Sequence, residues 1–278
     1  MTDTKGLVHL LQVMTRLRDP KEGCAWDLEQ NFATIAPHTL EESYELVEAI
    51  ERNDVKAIKE ELGDVLFQVV FHAQIGQEAG LFNLDSIARE VADKMIERHP
   101  HVFGNRDVST AHDVAANWEI DKEAKRKAKA AEEGRAPSIL DNVSTALPAA
   151  TRAVKLQNRA ARVGFDWAEA RDVLGKIREE IGELEHEINI HADKDFLEDE
   201  LGDVFFALTN LARKLRIDPE TALRRTNRKF ERRFHGIESA LAAQGRDIAD
   251  ASLEEMERLW QEVKEREKNL ANSINHQS

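Results

Sequence analysis

Cysteine is almost absent: Cys24 is the only one in 278 residues. That excludes an intrachain disulfide and any zinc site built on thiolates, and leaves Cys24 a structural reading. Turn-makers are scarce. The 13 glycines and 6 prolines are about 7% of the chain, against roughly 12% in average usage, too few for a many-stranded β-sandwich. Aromatic residues are 6%, with Tyr44 the sole tyrosine. Long apolar runs are missing too: stretches such as Val65-Leu66-Phe67 fall far short of the roughly 18 residues of a membrane helix, so no membrane partner is expected. The opening MTDTKGLVHLLQ has no basic segment leading into an apolar one with a small-residue cleavage site, so a reducing cytoplasm is the expected compartment. Neither GxxxxGK[ST] nor GxGxxG occurs, which excludes a P-loop and a dinucleotide fingerprint. Positive charge is in deficit: 39 Lys and Arg against 53 Asp and Glu give a net charge of −14. Such a balance disfavours nucleic acid as the main ligand and suits a protein that holds cations.

What remains is rich in charged residues (33%) and in Ala, Leu, Glu, Lys and Arg, a helical composition. It also repeats. Glu61-Leu62-Gly63-Asp64-Val65-Leu66-Phe67 returns as Glu200-Leu201-Gly202-Asp203-Val204-Phe205-Phe206, and Glu41-Glu42-x-x-Glu45 returns upstream as Glu179-Glu180-x-x-Glu183. Lys94-x-x-x-Arg98 is matched by Lys229-x-x-x-Arg233, and Trp118-x-x-x-Lys122 by Trp260-x-x-x-Lys264. Four landmarks in one order imply duplication of a unit of about 120 residues. The expected organisation is all-α: two tandem helical bundles of four or five helices, at 1–121 and 149–268. A charged helical connector over 122–148 presents a solvated basic face between them, and 269–278 form a disordered tail. Helices are predicted near 5–18, 39–52, 54–79, 85–99 and 111–133, then near 148–163, 167–191, 194–214, 219–244 and 253–269. Thr39-Leu40-Glu41-Glu42 and Ser252-Leu253-Glu254-Glu255 read as capping boxes, Asp218-Pro219 as a helix start, and Gly164 and Gly245 as stops.

Residues three or four apart share a helix face. Glu180 with Glu183 and Glu200 with Asp203 are such pairs, as are Glu42 with Glu45 and Glu61 with Asp64. An antiparallel hairpin would bring each two pairs together. The helix bearing Glu61 and Asp64 is apolar nearly all round, as is its partner with Leu201, Val204, Phe205, Phe206 and Leu208, so both are expected to be buried. Carboxylates on a buried helix cost several kcal/mol each without a partner, and four together repel. For a single EExxE, salt bridges to Lys and Arg are explanation enough. For two such pairs at this spacing, on a core helix and present twice, a multivalent cation is the better one. All-oxygen ligation favours Mg²⁺ or Mn²⁺, and Mg²⁺ keeps positions open for phosphate oxygens.

Phosphates need cations of their own. Lys229 and Arg233 share a helix face, with Arg225 and Arg232 near it and Arg224 and Arg228 extending the basic character. Guanidinium groups grip phosphate bidentately and lysine acts as a point charge. Trp260, at helical spacing with Leu253, Met256 and Leu259, suits a core position as well as a stack on a base. Other motifs fall away. His186 and His191 are i,i+5, about 140° apart on a helix, so they cannot share a metal. Glu183-x-x-His186 lacks the second copy that a di-iron bundle needs. His112-Asp113 stands alone.

The duplicated EExxE, spacer, ExxD signature resembles the MazG family of nucleoside triphosphate pyrophosphohydrolases. Cys24-Ala-Trp-Asp-Leu-Glu-Gln-Asn, Pro37-His-Thr-Leu-Glu-Glu, Arg98-His-Pro-His-Val-Phe-Gly104, Val163-Gly-Phe-Asp-Trp167 and Lys229-Phe-Glu-Arg-Arg-Phe234 carry the likeness, over roughly residues 5–268. The resemblance implies an all-α fold, a homodimer, and Mg²⁺-dependent hydrolysis of NTP or dNTP to nucleoside monophosphate and pyrophosphate, in nucleotide-pool house-cleaning. By position, Glu180, Glu183, Glu200 and Asp203 would ligate Mg²⁺. Glu180, Asp203, Lys229, Arg232, Arg233 and Lys176 in the turn before Glu180 would meet the substrate, and Trp260 the nucleoside. Glu179 would orient the attacking water. Glu42, Glu45, Glu61 and Asp64 would form a second, weaker site, because Ala92 and Glu97 stand where the other unit has Asn227 and Arg232. The competing expectation is a helical protein-binding scaffold with degenerate metal sites, and a regulatory protein partner is compatible with either.

Overall fold

In the computed structural model, which describes residues 4–104, 123–124, 126–128 and 130–275 (side chains to residue 269), the helices begin where local capping dictates. The first unit, Met1–Ile120, contains α1 (Lys5–Leu17), α2 (Ala25–Glu29), α3 (Phe32–Arg52), α4 (Val55–Glu78), α5 (Leu84–Arg98) and the short α6 (Pro100–Phe103). The sequence predicts that α3 starts at Thr39, after Pro37. It starts seven residues earlier. Asn31 and Thr34 form a reciprocal capping box there, with the Asn31 side chain accepting from Ala33 and Thr34 N–H and the Thr34 hydroxyl accepting from Asn31 N–H. Pro37 lies inside the helix and removes one donor. Burial of Ile35, 1% exposed, favours the longer helix all the same. Thr39 is no cap: its hydroxyl lies 3.2 Å from the Ile35 carbonyl and 2.9 Å from His72 Nε2.

The α3–α4 hairpin turns at Asn53, in the left-handed region at φ 56°, and at Asp54, whose side chain accepts from Lys56 and Ala57 N–H. Asparagine tolerates that backbone. Helices α1, α3 and α5 pack on α4. The core there joins Met14, Ile35, Val70, Phe71 and Ile75, flanked by Leu10, Leu11, Phe67 and Leu84. One buried charge ties the α1–α2 segment to the end of α4. Arg18, with a side chain 7% exposed, donates to Glu78 Oε2 at 2.6 Å and to the carbonyls of Asp27 and Gln30.

The second unit, Asp121–Ser278, holds α7 (Ala149–Ala161), α8 (Ala170–Asn189), α9 (Lys194–Lys214), α10 (Pro219–Ala242), a 3₁₀ turn (Ile248–Asp250) and α11 (Leu253–Asn275). Asp218, Ser252, Gly164 and Gly245 take their expected places. Asp218 and Ser252 side chains accept from Thr221 and Glu255 N–H, and the glycines sit at φ 85° and 71°. There are two separate cores. Val173, Ile177 and Ala207, with Leu211, join α8 to α9. Ile237, Leu241 and Leu259, with Phe234, Met256 and Trp260, join α10 to α11.

Three expectations need correction. The tail is not disordered from residue 269: α11 runs to Asn275, because Lys268, Leu270 and Ala271 are good helix formers with no Gly or Pro among them. The connector is not simply a solvated face. Ala130 is fully buried and Arg126 is 7% exposed, while Arg159 of α7 donates to the Ile139 and Asp141 carbonyls, so the segment folds onto the second unit. Nor are the repeated core helices buried all round. Leu62, Leu66 and Val69 of α4, and Leu201, Phe205, Phe206 and Leu208 of α9, are exposed, since each unit covers only part of its central helix. His112-Asp113, Trp118 and Lys122, and most of the helix expected over 111–133, lie outside the described residues. Among the described residues there is no strand, and no helix is long and apolar enough to cross a membrane.

The Arg18 guanidinium holds the Glu78 carboxyl below its usual range. A group whose folded pKa is depressed adds stability above its unfolded pKa, and that stability is lost as pH falls through the folded value. Arg18→Met is expected to cost the first unit about 2–3 kcal/mol at pH 7, less than a fully buried pair because Glu78 can rehydrate. In urea melts, the gap to wild type should narrow below about pH 4.5. A gap that does not change with pH would show that Glu78 contributes nothing.

Candidate metal centre

Each helix hairpin brings its acids to one place. In the second unit, α8 carries Glu180 and α9 carries Glu200 and Asp203, and one carboxylate oxygen from each lies within 4.8 Å of the others. The register follows from the core beneath: Ile177 and Val173 lie one and two turns before Glu180, and Ala207 lies one turn after Asp203. Glu180 is buried, Glu200 half-buried and Asp203 exposed, so the cluster grades from core to solvent. Glu183 is exposed and stands beside this triplet. Its carboxyl is pushed up, first by a hydrogen bond shared with Glu180 and then by burial. Lys176 reaches both Glu179 and Glu180, at 2.8 Å each, and these acids hold its ammonium well above its usual pKa. Glu179 itself is exposed.

The first unit repeats the arrangement with Glu42 and Glu45 of α3 and Glu61 of α4, again within 4.8 Å. Asp64 is exposed and stands outside that triplet. Burial first, then repulsion from Asp64 and Glu45, raises the Glu42 pKa. Burial, then repulsion from Glu45 and Asp64, raises that of Glu61. Glu61 Oε2 is buried with no hydrogen-bond partner. A buried carboxylate oxygen without a donor, beside two more carboxylates, is a set of hard oxygen ligands short of a cation. The donor sets of both units therefore fit a divalent metal.

The basic residues sit on the other hairpin. Gly202, Phe205, Phe206, Thr209 and Ala212 of α9 share an apolar cavity of about 640 Å³ with Pro219, Ala222, Leu223 and Thr226 of α10. Thr226 of α10 and Gly202 of α9 thus line one cavity, and Lys229, exposed, follows Thr226 by three residues. Arg232 and Arg233 are held elsewhere. Their Nε atoms donate to the two oxygens of Glu267 on α11, at 2.5 and 2.8 Å. The Arg233 guanidinium also lies 5.5 Å from the Trp260 ring, which packs 5.4 Å from Phe230. Trp260 is thus part of the α10–α11 core. Glu267 is the residue that the sequence reading missed. Its signal was spacing: seven residues after Trp260, it shares that residue's helix face.

The chain matches the MazG nucleotide pyrophosphohydrolase domain twice, over residues 30–103 and 170–236. It is 47% identical over 263 residues to the nucleoside triphosphate pyrophosphohydrolase of Escherichia coli K12, covering 94% of this chain and 98% of that protein. It is 40% identical over 256 residues to the nucleoside triphosphate pyrophosphohydrolase/pyrophosphatase MazG of Thermotoga maritima, covering 92% and 94%. A third relative, the nucleoside triphosphate pyrophosphohydrolase of Mycobacterium tuberculosis, is 36% identical over 161 residues, which is 57% of this chain and 46% of that one. The chain belongs to the MazG family, a family of metal-dependent hydrolases, and each matched segment contains one carboxylate cluster.

Mutual repulsion in the first unit has a measurable consequence. Without divalent ions, Glu61→Gln should melt higher than wild type at pH 7, because it removes a buried charge that lacks a partner. Millimolar Mg²⁺ should raise the wild-type transition by more than that of the variant, which keeps only the second cluster intact. Calorimetry showing equal Mg²⁺ shifts in both would dissociate Glu61 from metal binding.

Proposed function

We propose that this MazG-family chain hydrolyses nucleoside triphosphates to nucleoside monophosphate and pyrophosphate, and that the second unit carries most of the turnover. The observation that carries this reading is the convergence of Glu180, Glu200 and Asp203 within 4.8 Å. Glu180, Glu183, Glu200 and Asp203 hold Mg²⁺, with Mn²⁺ an acceptable substitute. When bound, the ion neutralises phosphate charge and lowers the pKa of a coordinated water. Lys229, exposed on α10, takes the pyrophosphate half of the substrate and stabilises it as it leaves. Arg232 and Arg233 extend that clamp, with Glu267 and Trp260 fixing their orientation. Glu179, on the solvent side of the cluster, receives the proton of the attacking water.

The first unit keeps the carboxylates but has Ala92 and Glu97 where the second has Asn227 and Arg232. It loses a polar group and reverses a charge beside the phosphate clamp, and so contributes less. The exposed Phe205, Phe206 and Leu208 of α9 and Leu223 of α10 form a contiguous apolar face of a kind that marks an interaction site, and a second copy of the chain is the partner we assign to it.

Incubation of the chain with a panel of NTPs and dNTPs and Mg²⁺ should release pyrophosphate and the monophosphate, with no orthophosphate. Glu180→Gln should lower kcat on the order of 100-fold, and Glu42→Gln by far less. Orthophosphate as the product would refute the cleavage position. Loss of turnover only in Glu42→Gln would reverse the assignment of units.

A further inference from the structure

The two carboxylate clusters share a ligand pattern but differ in the cation already at hand. In the second unit that cation is Lys176. Its ammonium bridges the outer Glu179 and the inner Glu180 at 2.8 Å each. Glu180 is the member that matters most: its side chain is 8% exposed, and it is the α8 contribution to the triplet with Glu200 and Asp203. The lysine therefore delivers one positive charge to the buried end of the cluster from a position four residues upstream.

The corresponding position in the first unit, four residues before Glu42, is His38. Its Nδ1 lies 3.5 Å from Glu41, the counterpart of the outer Glu179. Glu42 and Glu61 are left repelling each other, and Glu61 Oε2 is left without a donor. One cluster has thus been provided with a monovalent cation paired with its inner acid, whereas in the other His38 pairs with the outer Glu41 and acts on Glu42 only through space. An ammonium brings one charge and three donors, whereas a divalent ion brings two charges and takes six oxygens. Both cannot use the same lone pairs of Glu180.

We infer that Lys176 is a resident counter-ion of the second cluster, which competes with the divalent ion for Glu180 and, once displaced, pairs with the triphosphate. The inference rests on the metal-site reading above. It makes the two ligands cooperative. Metal arriving alone must separate Lys176 from Glu180 with no new partner for the ammonium. Metal arriving with a triphosphate gives that ammonium phosphate oxygens in exchange. By thermodynamic reciprocity, each ligand then tightens the other by the same factor. The first unit has no such coupling and loads metal without substrate.

The test uses the full chain with the first cluster silenced by Glu42→Gln and Glu61→Gln. Mn²⁺ is the probe, read by the loss of the electron paramagnetic resonance signal of the free ion. Added Lys176→Met should tighten Mn²⁺ binding about tenfold, within the usual range of coupling between sites. It should also reduce the gain in Mn²⁺ affinity produced by a triphosphate analogue with a methylene α–β bridge, leaving only what direct ligation of the ion by phosphate oxygens supplies. Unchanged or weaker Mn²⁺ binding would overturn the proposal. A reciprocal variant guards against a folding defect: with Glu180→Gln and Glu200→Gln silencing the second cluster, His38→Lys should weaken Mn²⁺ binding by the first, and no weakening counts against the inference. The underlying site is tested separately. If all four Gln substitutions together leave Mn²⁺ binding at wild-type strength, the metal-site reading itself fails, whatever Lys176 does.

Discussion

Like charges held a few ångströms apart on packed helices are the constraint on which the rest of this molecule depends. Three carboxylates within 4.8 Å in each unit repel one another, and a cation or a proton offsets that repulsion. The first unit shows the cost unrelieved, in two carboxyls pushed upward and a buried oxygen with no donor. The second shows it partly relieved by Lys176. A fold that keeps this arrangement twice, on helices rooted in hydrophobic cores, holds destabilising groups in place for a ligand that reconciles them.

Those cores explain why the acids meet. Phe71, Val70 and Ile35 lock α3 against α4, and Val173, Ile177 and Ala207 lock α8 against α9. In both hairpins the apolar contacts lie along the same helices as the acids, one or two turns away. Packing therefore sets the separation of the backbone positions from which the carboxylates reach one another. Preorganisation of this kind means that the cost of assembling the ligands is met during folding and not at each binding event.

Much of this was legible in the residues. The repeat, the helical class and the pairing of acids follow from spacing alone, because i,i+3 and i,i+4 positions face the same way whatever surrounds them. The starts of α8 and α10, the Ser252 cap and the stops at Gly164 and Gly245 were also close, since caps and left-handed glycines are local chemistry. The failures were non-local. Pro37 looked like a boundary, but an Asn31–Thr34 box upstream and the burial of Ile35 carried the helix through it. The apolar run on α9 reads the same whether its second face meets the unit's own core or a partner. The tether of Arg232 and Arg233 to Glu267 joins residues about 35 positions apart, a distance at which a salt bridge leaves no periodic trace.

That tether bears on how the second unit is divided. Its acidic half stands on the α8–α9 hairpin and its basic half on the α10–α11 hairpin, each with a core of its own. Between them runs an apolar cavity of about 640 Å³, whose lining includes Gly202 beside Asp203 and Thr226 one turn before Lys229. The acidic half is rooted in the core of Val173 and Ala207, and the basic half is held by Glu267 and Trp260. Ala149, Ala150 and Ala153 of α7 complete the lining of the cavity between them. Charge has been divided in the same way. Each half pairs some of its own members, Lys176 with Glu179 and Glu180 among the acids and Glu267 with Arg232 and Arg233 among the bases. A polyanion that binds a metal at one end and guanidinium groups at the other is the ligand that would exchange both internal pairings for shared ones.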